Sequence, residues 1–386
     1  MSADVEIRYI PSPILARQTA DLLRGWGMIE EDVAVTTAAL LDADLRGVDT
    51  HGISLLPLFA GWMKTERFDL AARPKIVKDG PAFALIDAGA ALGFAVSVFA
   101  TRLAVEKARS AGVASVSVFN SHHFGAAGYY ARLAARENLM SLVATSTRLI
   151  CVVPPNAAEP VLGTNPLAFG IPSPDGEPIV LDMATSTAAG NRVRLFHLKN
   201  KPLPVGWVVD GNGDAVVDPH EGYEFVYNRN EGGLTPLGGN LELGSHKGYG
   251  LALMVHFLAA TLSGGAFPPA KSSENGRRSP DNVGHFFLAI DPAAFRNYED
   301  FLGDVGEVAR TLRQTRATDP SRPVLLPGDI ENRTRAERLR TGIPLPVTLL
   351  AQLRALAASL KVPFHFDDQS APGAGLSASH DEKIAK

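Results

Sequence analysis

The chain has one cysteine, Cys151, in 386 residues. A single thiol excludes an intrachain disulfide and any metal site built on several thiolates. Long apolar runs are missing as well. The longest, "GYGLALMVHFLAATLSGGAF", holds a histidine and has glycines at both ends, so it reads as a buried helix over 249–262 rather than a membrane span. The first residues, "MSADVEIRYIPSP", carry acids and no apolar segment. They do not read as a secretory signal, and a soluble cytoplasmic protein is expected. Charge of one sign is scarce: 37 Lys and Arg face 41 Asp and Glu, for a net −4. With no long basic block, nucleic-acid and membrane-surface partners are not expected. Two nucleotide-binding signatures are absent too, G-x-x-x-x-G-K-[ST] and a G-x-G-x-x-G after a strand. The second absence argues against a Rossmann fold, not against a nicotinamide cofactor.

The residues that are present describe an α/β protein, whose length predicts two domains. "SPILARQTADLLRGWG" places Ile14, Leu15, Leu22 and Leu23 on one helical face and stops at Gly25 and Gly27. "EEDVAVTTAALLDADLRG" repeats the pattern, with acids where a helix dipole favours them. From 83 to 170, strand-like "AFALID", "VASVSVF" and "LMSLVATS" alternate with an Ala-rich helical segment. "PIVLDMATS" and "HFFLAID" predict further strands, while 197–243 reads as loop-heavy with a turn at "GNGD". A polar loop follows near 264–284. Phe295, Tyr298, Leu302, Val305, Val308 and Leu312 recur at helical spacing, as do Leu349, Leu350, Leu353, Leu356 and Leu360. The expected arrangement is a helical domain built from both chain ends, residues 1–75 and 291–367. An α/β NAD(P)-binding and catalytic domain, residues 76–290, is inserted between them, and 368–386 form a polar, disordered tail.

Four stretches could carry chemistry. "NSHHFGAAGYYARLAA" (120–135) sets His122 and His123 side by side at a predicted strand end. Neighbours on a strand point to opposite faces, so the two do not suit one metal ion. Either one ring is core and the other surface, or one imidazole shuttles a proton, with Gly125 and Gly128 letting a ligand approach the backbone. "DLRGVDTHGI" (44–53) offers Asp49, Thr50 and His51, either as a capped helix end or as part of a site. "GTNPLAFGIPSPDG" (163–176) and "LDMATSTAAGN" (181–191) are ordinary turns or hydroxyl- and amide-bearing loops around a cofactor. "GSHKGYGLAL" (244–253) runs a glycine loop into a helix start beside Lys247, a place for an anion.

In order and spacing, "ADLRGVDTHGI", "NSHHFGAAGYYA", "LGTNPLAFGIPSPDGEPIVLDMATS", "LGSHKGYGLALMV", "GHFFLAIDPAAF" and "LLPGDIE" resemble the malate/L-lactate dehydrogenase family that lacks a Rossmann domain. Ureidoglycolate and sulfolactate dehydrogenases and piperideine/pyrroline-2-carboxylate reductases belong to that family, and the resemblance covers about residues 10 to 345. It implies a homodimeric oxidoreductase with a non-Rossmann cofactor domain, using NAD or NADP on a small 2-hydroxy or 2-keto acid, or on a cyclic imine carboxylate. It assigns proton transfer to His123 and places His51 in the active site. His122 falls on a variable position. It implies cofactor contacts at Ser146, at Asp182, Met183 and Ala184, at Lys247, and at Gly328, Asp329 and Ile330. Thr164 and Asn165 line the pocket, and no metal is implied.

The chain departs from that pattern where many members place a substrate-binding arginine: Leu55 stands there. The carboxylate's cation must then come from elsewhere, with Lys247 and Arg148 as candidates. The family lysine after "DMATS" corresponds to Arg192, and His246 and "DPHEGYEFVYNRNEGG" are further places where substrate preference can diverge. Two other classes compete. One is a metal-dependent hydrolase or lyase using Asp49, His51, His122 and His123; the other is a cofactor-binding protein without turnover.

Overall fold

The computed structural model describes residues 6–65, 68–271 and 281–367, so the expectations for the tail and for residues 272–280 of the polar loop lie outside the described residues. In chain order the elements are β1 (Ile7–Ile10), α1 (Ser12–Gly25), α2 (Glu30–Leu45), α3 (Leu56–Met63), β2 (Lys75–Gly80), β3 (Phe83–Asp87), α4 (Gly93–Ala111), β4 (Val113–Ser121) and α5 (Ala127–Arg136). They continue with β5 (Met140–Thr145), β6 (Leu167–Ile171), β7 (Ile179–Met183), α6 (Gly190–Leu198), β8 (Val208–Val209), α7 (Pro219–Tyr227), β9 (Gly233–Leu234) and α8 (Ser245–His256). The last are α9 (Pro268–Lys271), β10 (Val283–Ile290), α10 (Tyr298–Gln314), α11 (Asp329–Thr341), β11 (Ile343–Pro346) and α12 (Val347–Leu360).

Seven strands form one mixed sheet in the order β2-β3-β4-β10-β5-β6-β7. Only β3 and β4 run parallel; every other neighbouring pair is antiparallel. A doubly wound Rossmann sheet needs parallel strands throughout its core, so this sheet is of another kind. β10 lies in the middle, and its near-continuous apolar "VGHFFLAI" follows from cover on both faces. On one face, Val96, Ala100 and Ala104 of α4 and Ala127, Tyr130 and Ala131 of α5 pack on Val116, Val118, Phe287 and Ala289. On the other, Val255 and Ala259 pack on Ala144, Leu167 and Phe286.

Strand direction then decides where the motifs fall. Ser121, the end of β4, pairs with Val283 at the start of β10, and Thr145, the end of β5, pairs with His285. Ala144 pairs with Leu167, the start of β6, which pairs with Met183, the end of β7. The segments after β4, after β5, before β6, after β7 and before β10 therefore all emerge at one edge of the sheet.

The chain ends meet. β1 pairs antiparallel with β11, Ile10 against Ile343, and one apolar cluster joins Leu15, Leu22, Leu23 and Leu40 to Leu345, Leu350, Leu353 and Phe366. Among the described residues no helix is long and apolar enough to cross a membrane.

Three expectations need correction. The run over 249–262 is helical but buried on one side only: Ala252, Val255, Ala259 and Ala260 are covered, while Met254, Phe257 and Leu262 are exposed. Its last turn, Phe257–Thr261, widens into a π-helix. The periodic pattern forms α10 from Tyr298 onward, with Phe295 in the turn before it; Ala309 is the one buried residue of α10, and Phe295, Val308 and Leu312 are exposed. Periodicity fixes which residues share a face, not what covers it. The stretch 197–243 also contains α7, whose start is capped by Asp218 accepting the N–H groups of His220 and Glu221.

Candidate active site

His51 and His123 come from different parts of the chain and meet at the motif-bearing edge. Their rings stack with centroids 5.7 Å apart. His51 lies in the short turn between α2 and α3, with its Nδ1 2.8 Å from the Thr50 hydroxyl. That turn is tied down from beneath. The buried carboxyl of Asp44 accepts the Ile53 N–H at 2.8 Å, and Arg338 of α11 pairs with Asp49 and donates to the Asp44 carbonyl. Asp49 is therefore committed to Arg338.

β4 ends at Ser121, so both neighbouring histidines sit in the loop that follows. His122 is buried, accepts the His123 N–H on Nδ1 at 2.8 Å, and turns Nε2 to Asp281 at 2.7 Å. A ring that accepts on Nδ1 carries its proton on Nε2, which suits that carboxylate. His123 is half-buried, backed by Phe59 at 6.0 Å and Phe94 at 6.5 Å between ring centroids. Its Nδ1 accepts the Gly125 N–H at 3.2 Å. Burial pushes His123 well below the ordinary imidazole range, with His51, His122 and His285 adding to the shift, and it lowers His51 to about 4. Both rings are neutral at pH 7.

The glycines expected to open the backbone to a ligand do something else. A Cβ on Gly125, at φ +81°, would come within 2.6 Å of the Phe94 ring, and one on Gly128 within 2.8 Å of Asp182. They admit protein neighbours, not a ligand. Gly128 N–H also donates to the Asp182 carboxylate at 2.7 Å, which fixes the start of α5 against the end of β7. Asp182 is thus held by the protein itself, and burial raises its carboxyl to about 6 although the Gly128 N–H opposes the shift.

The other expected residues divide into two sets. Ser146, Thr164, Asn165, Met183, Ala184 and Lys247 gather around the same sheet edge. The Ser146 hydroxyl accepts the Gly284 N–H at 3.0 Å. Asn165 is buried, donates to the Ala252 carbonyl of α8 at 3.0 Å and accepts from Thr147 at 3.2 Å. The Thr164 carbonyl accepts both the N–H and the hydroxyl of Thr185, two residues beyond Met183 and one beyond Ala184. Leu237, beside Gly248 of α8, donates to the Thr185 carbonyl, which brings the exposed Lys247 and the first turn of α8 alongside. Gly328, Asp329 and Ile330 lie further along β7: the Val180 N–H donates to Pro327, and Asp329 pairs with Arg313 at 2.8 Å. Arg192 lies over the Trp207 ring at 5.3 Å, apart from this group.

Several residues of the site gave no motif in the sequence. His285, on β10, is fully buried between Thr145 (2.7 Å) and Ser121 (2.9 Å), and stacks on Phe124 at 4.6 Å. Trp62 stands 4.9 Å from the His122 ring and 6.3 Å from that of His123. Asp281 joins His122 to Arg148, 3.1 Å away. Among the described residues no group of three or more His, Cys, Asp or Glu is arranged to hold a metal ion. Cys151 is buried, and burial pushes its thiol up to about 12, which leaves it inert.

Two stacked imidazoles held below the ordinary imidazole range lie at one edge of an α/β sheet, ringed by hydroxyl, amide and lysine side chains. Residues 10–354 match the family model described as malate/L-lactate dehydrogenase, and the chain belongs to that family. A malate dehydrogenase of Pyrococcus abyssi is 36% identical over 354 residues, 92% of this chain and 95% of the relative. The crystal structure of malate dehydrogenase from Entamoeba histolytica superposes with a TM-score of 0.87 at 31% identity, covering 93% of this chain and 99% of that one. A delta1-piperideine-2-carboxylate reductase from Pseudomonas syringae pvar. tomato matches with a TM-score of 0.77 at 31% identity, over 91% and 100% of the two chains. The protein is an oxidoreductase of the dehydrogenase type, and dehydrogenases of this family use nicotinamide cofactors.

Proposed function

We propose that the protein moves a hydride between NAD(P) and C2 of a small 2-hydroxy or 2-oxo acid, with His123 transferring the proton. The observation that carries this reading is the stacked, neutral His51–His123 pair at the edge where the motifs converge. A bound nicotinamide supplies the two-electron chemistry. The residues present suit such a group: Lys247 is exposed at the first turn of α8, and the Gly328 turn, Asn165 and the end of β7 offer backbone and amide donors. Lys247, Ser146, residues 182–184 and residues 328–330 hold the dinucleotide, and Thr164 and Asn165 border the substrate.

In reduction the doubly protonated ring of His123 gives its Nε2 proton to the substrate oxygen and returns to the neutral form, the reverse of oxidation. In oxidation Nε2 must accept the hydroxyl proton, so the ring carries its hydrogen on Nδ1 and gives up the long 3.2 Å contact to Gly125. His51 restrains charge on its stacked neighbour and closes one side of the site.

The helical part, residues 1–75 and 291–367, is read as one domain with 76–290 inserted. We read the assembly as a homodimer, because Phe257, Leu262, Phe295 and Leu243 are left exposed. A cyclic imine carboxylate is the second substrate reading, favoured by the likeness to the piperideine-2-carboxylate reductase. The test is a panel of 2-oxo acids and cyclic imine carboxylates with NADH and NADPH, followed at the absorbance of the reduced cofactor. Turnover of a member with either cofactor supports the reading. Binding of neither cofactor sinks it.

A further inference from the structure

We infer that Arg148 receives the substrate's carboxylate, and that the substrate is a 2-oxo or 2-hydroxy monocarboxylate whose remainder is apolar. The inference rests on the dehydrogenase reading and adds the specificity of the same site. An acid held beside a neutral histidine needs a cation, and among the described residues the immediate surroundings of His123 supply none. Phe59 and Phe94 back its ring, Trp62 flanks it, and Leu55 is buried in the neighbouring turn at 5% exposure. Arg338, which reaches the same turn, is spent on Asp49 and the Asp44 carbonyl.

Arg148 is placed for the task. Its guanidinium carbon lies 4.7 Å above the Trp62 ring, and that ring in turn touches both histidines. Stacking fixes the plane of the guanidinium, and Asp281 fixes its rotation through Nη1 at 3.1 Å. Nε and Nη2 bond no other group among the described residues, and the side chain is 30% exposed. These two N–H groups form the edge that takes a carboxylate in a fork.

The same arrangement selects against a second negative charge. Asp281 already faces Arg148 and lies 2.7 Å from His122, so the second carboxylate of a dicarboxylate would come up against a like charge. Beyond the carboxylate, the half-buried rings of Trp62 and Phe68 offer an apolar wall, Phe68 standing 5.1 Å from His122.

Steady-state reduction of 2-oxobutanoate, phenylpyruvate and oxaloacetate by the full chain tests this, alongside fluorescence titration of the reduced cofactor. The wild-type protein is expected to favour the monocarboxylates in kcat/KM by tenfold or more. Arg148→Met should raise their KM by about 10- to 100-fold, the loss of a charge-assisted hydrogen bond, with cofactor affinity unchanged. Arg148→Lys, which keeps the charge and controls for folding, should recover part of the loss. Preference for oxaloacetate, or an unchanged KM in Arg148→Met, overturns the inference while wild-type turnover leaves the dehydrogenase reading intact. Failure of the wild-type protein to bind reduced cofactor overturns both.

Discussion

His51 and His123 stack 5.7 Å apart; burial holds both below the ordinary imidazole range, and His51 adds to the shift of His123. Neither has a carboxylate partner: His51 bonds Thr50 and His123 bonds a backbone N–H. This environment keeps the free base present in acid, where an ordinary imidazole is protonated. His123→Ala should lower kcat by about 10²–10⁴-fold, the range for a general acid/base, with reduced-cofactor binding retained. In the wild-type protein the acid limb of kcat/KM for oxidation should fall below the ordinary pKa of 6.5. A profile that breaks at 6.5 or above would show that these rings are solvated during turnover.

Asp44 makes a separate prediction about stability. It is 2% exposed, and burial lifts its carboxyl to about 8 although the Ile53 N–H opposes the shift. Unfolded, the group loses its proton near 3.8; folded, it keeps it until about 8. Between those values the native state binds more protons, so stability falls as pH rises. Asp44→Asn keeps an acceptor for Ile53 and removes the titration. It should raise Tm at pH 8, with a gain in stability of up to roughly 5 kcal/mol given about four pKa units at about 1.4 kcal/mol each, and give no such gain at pH 4. An equal effect at both values would show that Asp44 ionises freely in the folded protein.

What the sequence makes legible depends on how local the cause is. Strands rich in β-branched and aromatic residues, such as "VASVSVF" and "HFFLAID", and helices with glycine stops, such as 12–25, follow from neighbours along the chain. So do the turns that carry His51, His123 and Asn165, because their residue types occur as compact strings. His285, Asp281 and Trp62 escaped because each is a lone residue whose role comes from partners far away: His285 reaches Ser121 and Thr145 only once β10 lies between β4 and β5. β1 and β11 were missed for the same reason, since four-residue strands pairing the chain ends leave no local signature. Gly125 and Gly128 show the limit of such a signal: a glycine marks a close approach without naming what approaches.

His285 links the two loops that carry the proposed proton-transfer and cofactor residues. The Thr145 hydroxyl donates to the Ser146 carbonyl at 2.9 Å, so it accepts from Nδ1–H of His285; Nε2 then accepts the Ser121 hydroxyl. Burial holds His285 down to about 3, so it stays neutral and transfers no proton itself. It acts through its neighbours, Ser121 standing just before His122 and His123, and Thr145 just before Ser146. His285→Leu removes one hydrogen-bond partner from each of two buried hydroxyls, at about 1–3 kcal/mol in all, and frees both loops. Expected are a lower Tm, a kcat reduced about tenfold or more, and weaker reduced-cofactor binding. His285→Gln, which retains a donor and an acceptor, should restore much of kcat. If His285→Leu loses stability but keeps the wild-type kcat and cofactor affinity, the histidine supports the sheet and does not position the site.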